Sequence, residues 1–215
     1  MLDELVITEI YGSIQGESSF AGLPCSFIRL TGCPLRCRWC DTAYGFEGGH
    51  SMSTAQIMQK VKEIGIPLVE LTGGEPLAQE GCVKLADTLL AEGYKVLIET
   101  SGSEDVSRLA KEVHIIMDLK APGSKMEHKN RMENLTHLKP TDEIKMVLAD
   151  RDDFVWAKNT ISKYKLSERF NVLLSCAFGL LNPKDLAEWI LEAKLNVRLN
   201  LQQHKYIWHP RTKGV

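Results

Sequence analysis

Residues 33–42 read Cys33-Pro34-Leu35-Arg36-Cys37-Arg38-Trp39-Cys40-Asp41-Thr42 and place three cysteines within eight residues, spaced C-x₃-C-x₂-C. No fourth cysteine lies nearby in the sequence. Three thiolates leave a four-coordinate structural metal site incomplete, but they can hold a cubane [4Fe–4S] cluster and leave one iron without a protein ligand. We therefore predict that Cys33, Cys37 and Cys40 bind such a cluster and that the remaining chain is a scaffold around its open iron.

The open iron predicts a second cofactor. It can chelate the amino and carboxylate groups of S-adenosylmethionine, and the reduced cluster can then cleave the C–S bond to generate a radical. Trp39, directly before the last cysteine, suits packing against the adenine of this cofactor. The alternative is a zinc site with a distant fourth ligand, which would make the protein a zinc-binding interaction module. The cysteine spacing favours the cluster.

The composition indicates a soluble globular protein. The 215 residues are 44% apolar and 25% charged, with a net charge of −2, so nothing in the composition supports a nucleic-acid partner. No stretch of about 20 apolar residues predicts a membrane span. The segment Met1-Leu2-Asp3-Glu4 is acidic, unlike the basic start of a signal peptide. We expect a cytoplasmic protein without membrane association, whose cysteines bind metal or pack in the core.

Short apolar strands alternate with helical segments from Ser26 onward, which is the pattern of βαβ units in a parallel sheet. The predicted strands are Leu5–Tyr11, Ser26–Leu30, Leu68–Leu71, Lys95–Ile98, His114–Asp118, Ile144–Leu148, Val172–Leu174 and Val197–Leu201. The predicted helices are one capped by Ser53 or Thr54 and ending at Gly65, then Leu77–Glu92, Ser103–Lys111, Glu127–Leu138, Arg151–Tyr164 and Pro183–Ala193.

This pattern predicts an α/β fold, a partial (open) βα barrel of about six βα units, in a single domain over residues 1–215. Seven strands counted from Ser26 are too few for a closed eight-stranded barrel. A doubly wound sheet is the alternative, because the order of strands in a sheet is not encoded locally.

Residues with chemical function follow the ends of the predicted strands. Besides the cysteine segment, they are Thr72–Pro76, Glu99–Gly102, Asp118–Lys120, Ser175–Ala177 and Gln202–Lys205. Because ligands bind at the carboxyl ends of parallel strands, we expect these loops to face one cavity. In Thr72-Gly73-Gly74-Glu75-Pro76 the glycines permit close backbone approach, and Glu75 is suited to accept the methionyl ammonium of the cofactor.

The sequence resembles the radical S-adenosylmethionine superfamily through its cysteine motif and Thr72-Gly73-Gly74-Glu75-Pro76. Within it, the whole chain resembles the family of 7-carboxy-7-deazaguanine synthases, lyases of queuosine and 7-deazapurine biosynthesis. The similarity to this family rests on Ile14-Gln15-Gly16-Glu17, Phe27-Ile28-Arg29, Cys40-Asp41-Thr42, Glu99-Thr100-Ser101-Gly102 and Gln203-His204-Lys205-Tyr206.

The resemblance implies a specific reaction. 6-Carboxy-5,6,7,8-tetrahydropterin is converted to 7-carboxy-7-deazaguanine by ring contraction with loss of ammonia. A 5′-deoxyadenosyl radical abstracts a hydrogen from C6 of the pterin and a hydrogen is returned later, so S-adenosylmethionine is used catalytically. Mg²⁺ orients the substrate carboxylate. A reductant such as flavodoxin or ferredoxin, and a homodimer, are implied as well.

The resemblance also implies roles for individual residues, with none catalytic beyond the cluster and S-adenosylmethionine. Thr42 is the implied Mg²⁺ ligand, through a hard hydroxyl oxygen suited to this ion. The implied cofactor contacts are Trp39, Cys40, Asp41, Gly74, Glu75, Glu99, Ser101, Asp118, Leu119, Lys120 and Ser175. The implied substrate contacts are Ile14, Gln15, Gly16, Arg29, Thr72, His204 and Pro210. Residues Arg211–Val215 extend beyond Pro210, where some members end.

The residues leave several alternatives open. Arg29 lies on an apolar strand and needs a partner, either the pterin carboxylate or a salt bridge to Glu17 or Glu75. His204 fits a structural role as well as a substrate contact. A radical activating enzyme, which makes a glycyl radical on a partner protein, shares the cysteine motif and is the main functional alternative. Such an enzyme does not need a first loop that matches a pterin site.

Overall fold

The computed structural model describes residues 4–215, so Met1–Asp3 and the expectation drawn from them lie outside the described residues. The strands are β1 (Glu4–Ile14), β2 (Pro24–Leu30), β3 (His50–Ser53), β4 (Leu68–Gly73), β5 (Lys95–Thr100), β6 (His114–Asp118), β7 (Glu143–Leu148), β8 (Asn171–Cys176) and β9 (Arg198–Leu199). The helices are α1 (Thr54–Ile64), α2 (Gly81–Ala91), α3 (Arg151–Tyr164), α4 (Leu166–Arg169), α5 (Pro183–Ala193) and α6 (His204–Ile207).

The strands form one sheet in the order β3-β1-β2-β4-β5-β6-β7-β8-β9. Seven strands, β2 and β4 to β9, pair in parallel, while β1 pairs antiparallel with both β2 and β3. The two edge strands, β3 and β9, do not pair with each other. The predicted open α/β barrel is therefore confirmed. The doubly wound alternative is wrong, because the parallel strands follow one another in sequence order without the reversal that such a sheet requires.

Local signals account for the helices that were predicted correctly. Ser53 caps α1 by accepting from the backbone N–H of Gln56, whose side chain accepts from the Ser53 N–H in return, and Gly65 ends the helix in the left-handed conformation. At α5, Asn182 caps the helix and Pro183 occupies the first turn.

Two predicted helices are wrong. Ser103–Lys111 contains only the 3₁₀ turn Val106–Arg108, and Glu127–Leu138 contains the 3₁₀ turns Glu127–Lys129 and Met132–Thr136. The buried Asn134 side chain explains the difference, because it donates to the carbonyl oxygens of Gly102 and Glu104 at 3.0 and 2.8 Å. These bonds join the two segments and satisfy backbone groups that a helix would have satisfied internally.

Other boundaries differ from the prediction in smaller ways. The segment Leu77–Glu92 begins with the 3₁₀ turn Pro76–Ala78, and its α-helix starts only at Gly81. The last strand shrinks from five residues to the pair Arg198–Leu199. Strand β3 was not predicted. Among residues 4–215, no helix has both the length and the apolar character needed to cross a membrane.

Side chains alternate between the two faces of the sheet and so divide the interior into two parts. The outward face packs against the helices in the main hydrophobic core. The inward face carries a small apolar plug near the amino ends of the strands, formed by Cys25, Phe27, Leu68, Leu97 and Ile116. Two residues further along their strands, Glu70, Glu99 and Asp118 follow plug residues on the same face. The barrel interior is therefore apolar at its base and polar towards the carboxyl ends.

Ion pairs and hydrogen bonds join the two sides of the open barrel. The segment after β1 carries Glu17, which accepts from Lys145 Nζ on β7 at 2.9 Å. Glu17 also accepts from the side-chain amides of Asn200 and Gln202, at 3.3 and 2.9 Å. In addition, the Gln203 backbone N–H donates to the Gly16 carbonyl at 2.8 Å. These contacts connect the first loop (residues 15–23, between β1 and β2) to the C-terminal segment (residues 200–215, after β9) across the gap that the sheet leaves open.

The charge of Lys145 is central to this connection. Its side chain is only 4% exposed and also contacts Glu99, and a buried charge without its partner is strongly destabilising. We expect Lys145→Met to lower the free energy of unfolding by about 3 kcal/mol, measured by urea denaturation. Lys184→Met removes an exposed pair with Glu188 and should cost less than about 0.5 kcal/mol. Equal losses for the two variants would contradict the role of Lys145.

Candidate active site

A cavity of about 660 Å³ opens at the carboxyl ends of the parallel strands, a volume in the range of small-molecule sites. Strands β1, β2 and β4 to β7, the cysteine segment and the C-terminal segment all contribute to its wall. The predicted site residues on this wall are Ile14, Gln15, Gly16, Arg29, Cys33, Cys37, Trp39, Cys40, Asp41, Thr42, Thr72, Gly74, Glu99, Ser101, Asp118, Lys120, His204 and Pro210.

Backbone hydrogen bonds hold the cysteine segment at the rim of the cavity. The Glu75 N–H donates to the Gly32 carbonyl at 2.9 Å, and the Arg38 N–H donates to the Ser124 carbonyl at 3.1 Å. Leu35, between the first two cysteines, is 1% exposed and anchors the segment in the protein. The position of the thiols is therefore fixed by the scaffold on both sides of the segment.

Gly74 lets the neighbouring loop touch the cysteine segment. A Cβ atom at Gly74 would lie 2.1 Å from the Gly32 carbonyl oxygen and 2.8 Å from the Cys33 Cβ. Backbone atoms cannot move aside as a flexible side chain can, so only glycine fits this contact. Gly74 thus allows the loop after β4 to pack against the cysteine segment, and Gly73 and Gly74 also line the cavity.

The three thiols match the donor set of a [4Fe–4S] cluster with one open iron. Burial raises the pKa of Cys33, Cys37 and Cys40, so cluster binding must release their protons. Among residues 4–215, no three His, Cys, Asp or Glu side chains are grouped so that they could hold a single metal ion. A cubane binds each thiolate through a different iron, and its ligands need not converge on one point.

Asp118 and Lys120 face the cavity from the end of β6. Lys120 Nζ donates to Asp118 Oδ2 at 2.8 Å, and its pKa is raised because the pull of Asp118 and Cys37 outweighs burial, which alone would lower it. The second oxygen of Asp118, Oδ1, is buried and has no hydrogen-bond partner among residues 4–215. A buried acceptor without a partner fits a ligand that brings hydroxyl or ammonium donors, such as S-adenosylmethionine.

The deepest polar groups of the cavity are Gln15 and Glu70. The Gln15 side-chain amide donates to Glu70 Oε2, and its own oxygen accepts from the Glu17 backbone N–H at 2.6 Å. Gln15 is 3% exposed and Glu70 is 1% exposed. The orientation of the Gln15 amide is thus determined at both ends.

The neighbouring charges have strongly shifted pKa values. Burial alone would lower the pKa of Lys145, but Glu17 and Glu99 raise it well above its usual value. Burial alone would raise the pKa of Glu17, but Lys145 and the Gln202 amide lower it. Both groups are therefore charged at neutral pH and form an ion pair within the cavity wall.

Arg29 has a protein partner that the sequence did not indicate. Its Nε donates to Glu9 Oε1 at 2.7 Å and one terminal nitrogen donates to the Tyr11 hydroxyl at 2.8 Å. A salt bridge to Glu17 or Glu75, one of the two alternatives, is not formed within residues 4–215. Glu9 lies on β1 directly opposite Arg29 on β2, so antiparallel pairing brings them together. Arg29 nevertheless lines the cavity, and the pair holds its guanidinium there.

The C-terminal segment covers part of the cavity. His204 and Lys205 were predicted at the end of a strand, but they begin the short helix α6. A Cβ atom on Gly16 would lie 2.2 Å from His204 Nδ1, so the two residues are in close contact. Lys205 donates to Asp41 at 2.5 Å and lowers the pKa of this carboxyl to about 2, against the effect of burial.

The residues after this helix also reach the site. His209, Pro210, Arg211 and Val215 line the cavity, and the Lys213 ammonium lies 4.2 Å from the centre of the Tyr44 ring. Thr42 lies on the wall nearby, and its hydroxyl donates to Asp41 at 3.2 Å. The tail beyond Pro210 is therefore part of the site wall.

Three predicted cofactor contacts do not lie on the cavity wall. Glu75 is completely buried, and its carboxylate accepts from Leu77, Thr100 and Ser101, so it fastens the strand ends together. Leu119 packs in the main hydrophobic core. Ser175 is 1% exposed and accepts from the Asn200 side chain at 2.8 Å. The side chains of these three residues do not line the cavity, and their roles as cofactor contacts stay predictions.

Sequence reasoning missed two buried charged residues of the wall, Glu70 and Lys145. A signal was present for both, because each is a charged residue between two apolar neighbours within a strand, as Arg29 is. The wall also includes residues for which no individual role was predicted, and five of them lie in segments that were predicted to face the cavity, namely Gly73, Thr100, Ala177, Gln202 and Lys205. The others are Tyr11, Glu17, Phe27, Leu35, Phe46, Ala121, Ser124, Val147, Phe178, His209, Arg211 and Val215.

Comparison with known sequences gives matches along the whole chain. Residues 27–147 match the Radical SAM superfamily. The 7-carboxy-7-deazaguanine synthase of Koribacter versatilis is 47% identical, with 97% of this chain and 99% of the relative covered. The enzyme of the same name from Chlorobaculum tepidum is 44% identical, with 98% and 97% covered.

Solved structures share the fold. The crystal structure of QueE from Escherichia coli matches with a TM-score of 0.78 and 24% identity, covering 94% of this chain and 95% of that one. The structure of TYW1 with a lysine-pyruvate adduct bound matches with a TM-score of 0.56 and 12% identity, covering 80% and 74%. At these identities the likeness concerns the architecture, the open α/β barrel described above.

The contact at Gly74 can be tested by substitution. We expect Gly74→Ala to push the cysteine segment away and to reduce iron and sulfide incorporation by at least half after anaerobic reconstitution, because the added methyl meets backbone atoms. Gly45→Ala is the control, since its Cβ would make only ordinary contacts, the nearest at 3.6 Å from Thr42. Full cluster content in Gly74→Ala would show that this contact does not position the thiols.

Proposed function

This chain belongs to the radical SAM superfamily and, within it, to the family of 7-carboxy-7-deazaguanine synthases. From this membership we propose that it converts 6-carboxy-5,6,7,8-tetrahydropterin to 7-carboxy-7-deazaguanine with loss of ammonia, in 7-deazapurine and queuosine biosynthesis. The observation that carries the proposal is the meeting, on one cavity wall, of the cysteine segment with the first loop and the C-terminal segment. These last two segments carry the similarity to the synthase family.

Cys33, Cys37 and Cys40 would hold the [4Fe–4S] cluster at the rim of the cavity. When bound, the cluster supplies the electron that cleaves S-adenosylmethionine to a 5′-deoxyadenosyl radical. Trp39 borders the space beside the thiols and offers an aromatic face for the adenine. Asp118 offers a free buried acceptor, and Lys120 places a positive charge near Cys37.

The pterin would bind deeper in the barrel, between the cysteine segment and the apolar plug. Gln15 presents a fixed amide there, and Arg29 presents a guanidinium held by Glu9 and Tyr11. The Arg29 charge attracts the carboxylate of the substrate. His204 and the residues from His209 onward cover this part of the cavity and exclude water from a radical.

Thr42 is the proposed Mg²⁺ ligand. Its hydroxyl is a hard oxygen on the cavity wall, two residues after Cys40, and Mg²⁺ in enzymes commonly takes few protein ligands together with substrate oxygens. Thr42 would hold the ion, which would supply a positive charge for the substrate carboxylate. Arg29 would pair with this carboxylate and orient the ring in the cavity.

The alternatives are less well supported. A radical activating enzyme must admit a segment of a partner protein, whereas this cavity is partly covered by the chain's own C-terminal segment. A zinc-binding interaction module would not account for similarity to a 7-carboxy-7-deazaguanine synthase over 97% of the chain. Anaerobic reconstitution tests the class, because a colourless protein that binds one zinc would end the radical interpretation.

The proposal extends to partners and location. A low-potential protein such as flavodoxin or ferredoxin would supply electrons to the cluster. We infer a homodimer, and the exposed apolar side chains of Leu180, Leu199, Leu201 and Ile207 near the edge strand β9 support an interface between two copies. Light scattering of the reconstituted protein tests this state. We also propose a single domain over residues 1–215 and a cytoplasmic location.

The central experiment is an anaerobic assay of the reconstituted enzyme. With the pterin, S-adenosylmethionine, Mg²⁺ and a reductant, we expect formation of 7-carboxy-7-deazaguanine and release of ammonia, measured by mass spectrometry. The net consumption of S-adenosylmethionine should be much smaller than that of the pterin, since the cofactor is regenerated in each catalytic cycle. An intact cluster without this product would favour the activating enzyme instead.

The ligand assignment predicts a selective loss of the cluster. Cys37→Ala should bind no stable [4Fe–4S] cluster and form no product, because a cubane cannot be held by two thiolates of this segment. Cys82→Ala is the control, since Cys82 is completely buried in the hydrophobic core and should leave the iron content unchanged. A full complement of four irons per chain in Cys37→Ala would refute the assignment.

The Mg²⁺ ligand is tested by removing one oxygen. Thr42→Val keeps the shape of the side chain but lacks the hydroxyl, so we expect at least a tenfold rise in the Mg²⁺ concentration that gives half-maximal rate. Cluster absorbance should be unchanged. Thr136→Val, which removes an exposed threonine hydroxyl remote from the cavity wall, serves as control. Superimposable Mg²⁺ titrations for wild type and Thr42→Val would contradict the role of Thr42.

A further inference from the structure

A buried carboxyl group lies at the floor of the cavity, and no role has been assigned to it so far. Glu70 occupies the middle of β4, between the plug residue Leu68 and the wall residue Thr72 on the same face of the strand. It is 1% exposed, yet it lines the cavity from below. A ligand that fills the cavity down to the plug must therefore meet Glu70.

The hydrogen bonds of Glu70 leave one side of the carboxyl group available. Oxygen Oε2 accepts from the Gln15 side-chain amide, and the Gln15 oxygen is occupied by the Glu17 N–H. Among residues 4–215, no side chain or backbone group forms a hydrogen bond with Glu70 Oε1. The second N–H of the Gln15 amide is likewise not used within this part of the chain. Two polar atoms at the floor are thus free for a ligand.

The cations near Glu70 are already paired with other groups. Lys145 contacts Glu17 and Glu99, while Arg29 contacts Glu9 and Tyr11. Burial, together with the negative charge of Glu99, raises the pKa of Glu70 well above its usual value, although Lys145 and Gln15 oppose this. This shift favours the neutral acid form of Glu70, which has one O–H donor and one C=O acceptor.

The Gln15 amide also decides which oxygen carries the proton. Because Gln15 donates to Oε2, this oxygen is the acceptor of the acid and Oε1 carries the hydrogen. The floor then presents a donor and an acceptor side by side, with a second donor from Gln15 next to them. A cyclic amide, in which N–H and C=O are neighbours, is the complementary partner.

A pterin has such an edge at N3–H and C4=O. We propose that Glu70 is a specificity-determining residue, whose carboxyl group together with the Gln15 amide binds the N3–H and C4=O edge of the pterin. This inference rests on the proposed function and deepens it. In this arrangement the acid hydrogen on Oε1 is donated to O4, and Oε2 accepts from N3–H.

A purely structural role for Glu70 is hard to reconcile with its surroundings. A buried acid without an ion-pair partner is destabilising, and an apolar side chain would continue the plug formed by Leu68 and Leu97 at lower cost. Buried carboxyl groups with raised pKa values in a cavity are typical of functional sites. Glu70 thus departs from what stability alone would favour.

Three variants test the proposal. Glu70→Leu removes the donor and the acceptor, whereas Glu70→Gln keeps a donor beside an acceptor without a charge. If circular dichroism shows that Glu70→Leu does not fold, Glu70→Ala is used in its place. Asp142→Asn is the matched control, because Asp142 is an equally buried carboxyl that binds Lys139 and the Ile115 N–H outside the cavity.

The first measurement is the KM for the pterin in the anaerobic assay with saturating S-adenosylmethionine and Mg²⁺. We expect a rise of about 30-fold in Glu70→Leu, because two hydrogen bonds to buried partners are lost. Glu70→Gln should stay within about threefold of wild type, since its amide reproduces the donor and acceptor. Asp142→Asn should stay within about twofold. Cluster content is measured for each variant.

The second measurement separates direct contact from positioning of Gln15. The probe is the 2,4-diamino analogue of the 6-carboxytetrahydropterin, which has an amino group at C4 and no hydrogen on N3. Wild type should prefer the natural pterin over this inhibitor, and Glu70→Leu should lose about tenfold of that preference. Glu70→Gln should keep it.

Several results would overturn the proposal. The first is an unchanged KM for the pterin in Glu70→Leu. The second is an equal rise in KM in Glu70→Leu and Glu70→Gln. The third is an equal loss of affinity of Glu70→Leu for the pterin and for its 2,4-diamino analogue. The last result would leave Glu70 as a residue that only holds Gln15. Failure of the proposed function looks different, because the wild-type enzyme itself would then neither bind the pterin nor form the deazaguanine.

Discussion

The buried ammonium of Lys145 is the interaction on which the shape of the cavity depends. An open barrel has two free edges, and its interior would be accessible to water from the side. Lys145 on β7 binds Glu17 from the first loop and Glu99 from β5, while Glu17 in turn binds the Gln202 side chain near the C-terminus. One cation thus connects the beginning, the middle and the end of the chain, and this connection makes a partial barrel into a closed reaction space.

This arrangement has an energetic logic. Charged groups in a cavity of low dielectric interact more strongly than in water, but each loses its hydration. The inward face compensates with an apolar plug below and paired charges above, so that Lys145 and Glu17 both remain ionised. Glu70 forms no ion pair among residues 4–215, and burial raises its pKa, which favours the neutral form. The polar groups are therefore arranged before any ligand binds, which lowers the cost of fixing a substrate.

The sequence predicted the parts of the fold that depend on local signals. The caps of α1 and α5 and the apolar strands depend on a few neighbouring residues, and these elements are confirmed. The segments 103–111 and 127–138 do not form the helices that their local sequence predicts, because the Asn134 side chain bonds to carbonyls about 30 residues away. Contacts over such distances leave no periodic pattern in the sequence.

For the site as well, the sequence predicted which segments meet better than it predicted the positions of single side chains. The motif Thr72-Gly73-Gly74-Glu75-Pro76 lies at the cavity as predicted, with Thr72, Gly73 and Gly74 on the wall, but the Glu75 carboxylate accepts hydrogen bonds from Thr100 and Ser101. Glu70 belongs to no strand-end motif, because it lies within β4. Yet a lone acid in Leu-Val-Glu-Leu cannot face the helices, where the neighbouring Val69 and Leu71 pack. Since alternation fixes the face of every residue once two apolar neighbours are assigned, Glu70 had to point into the barrel.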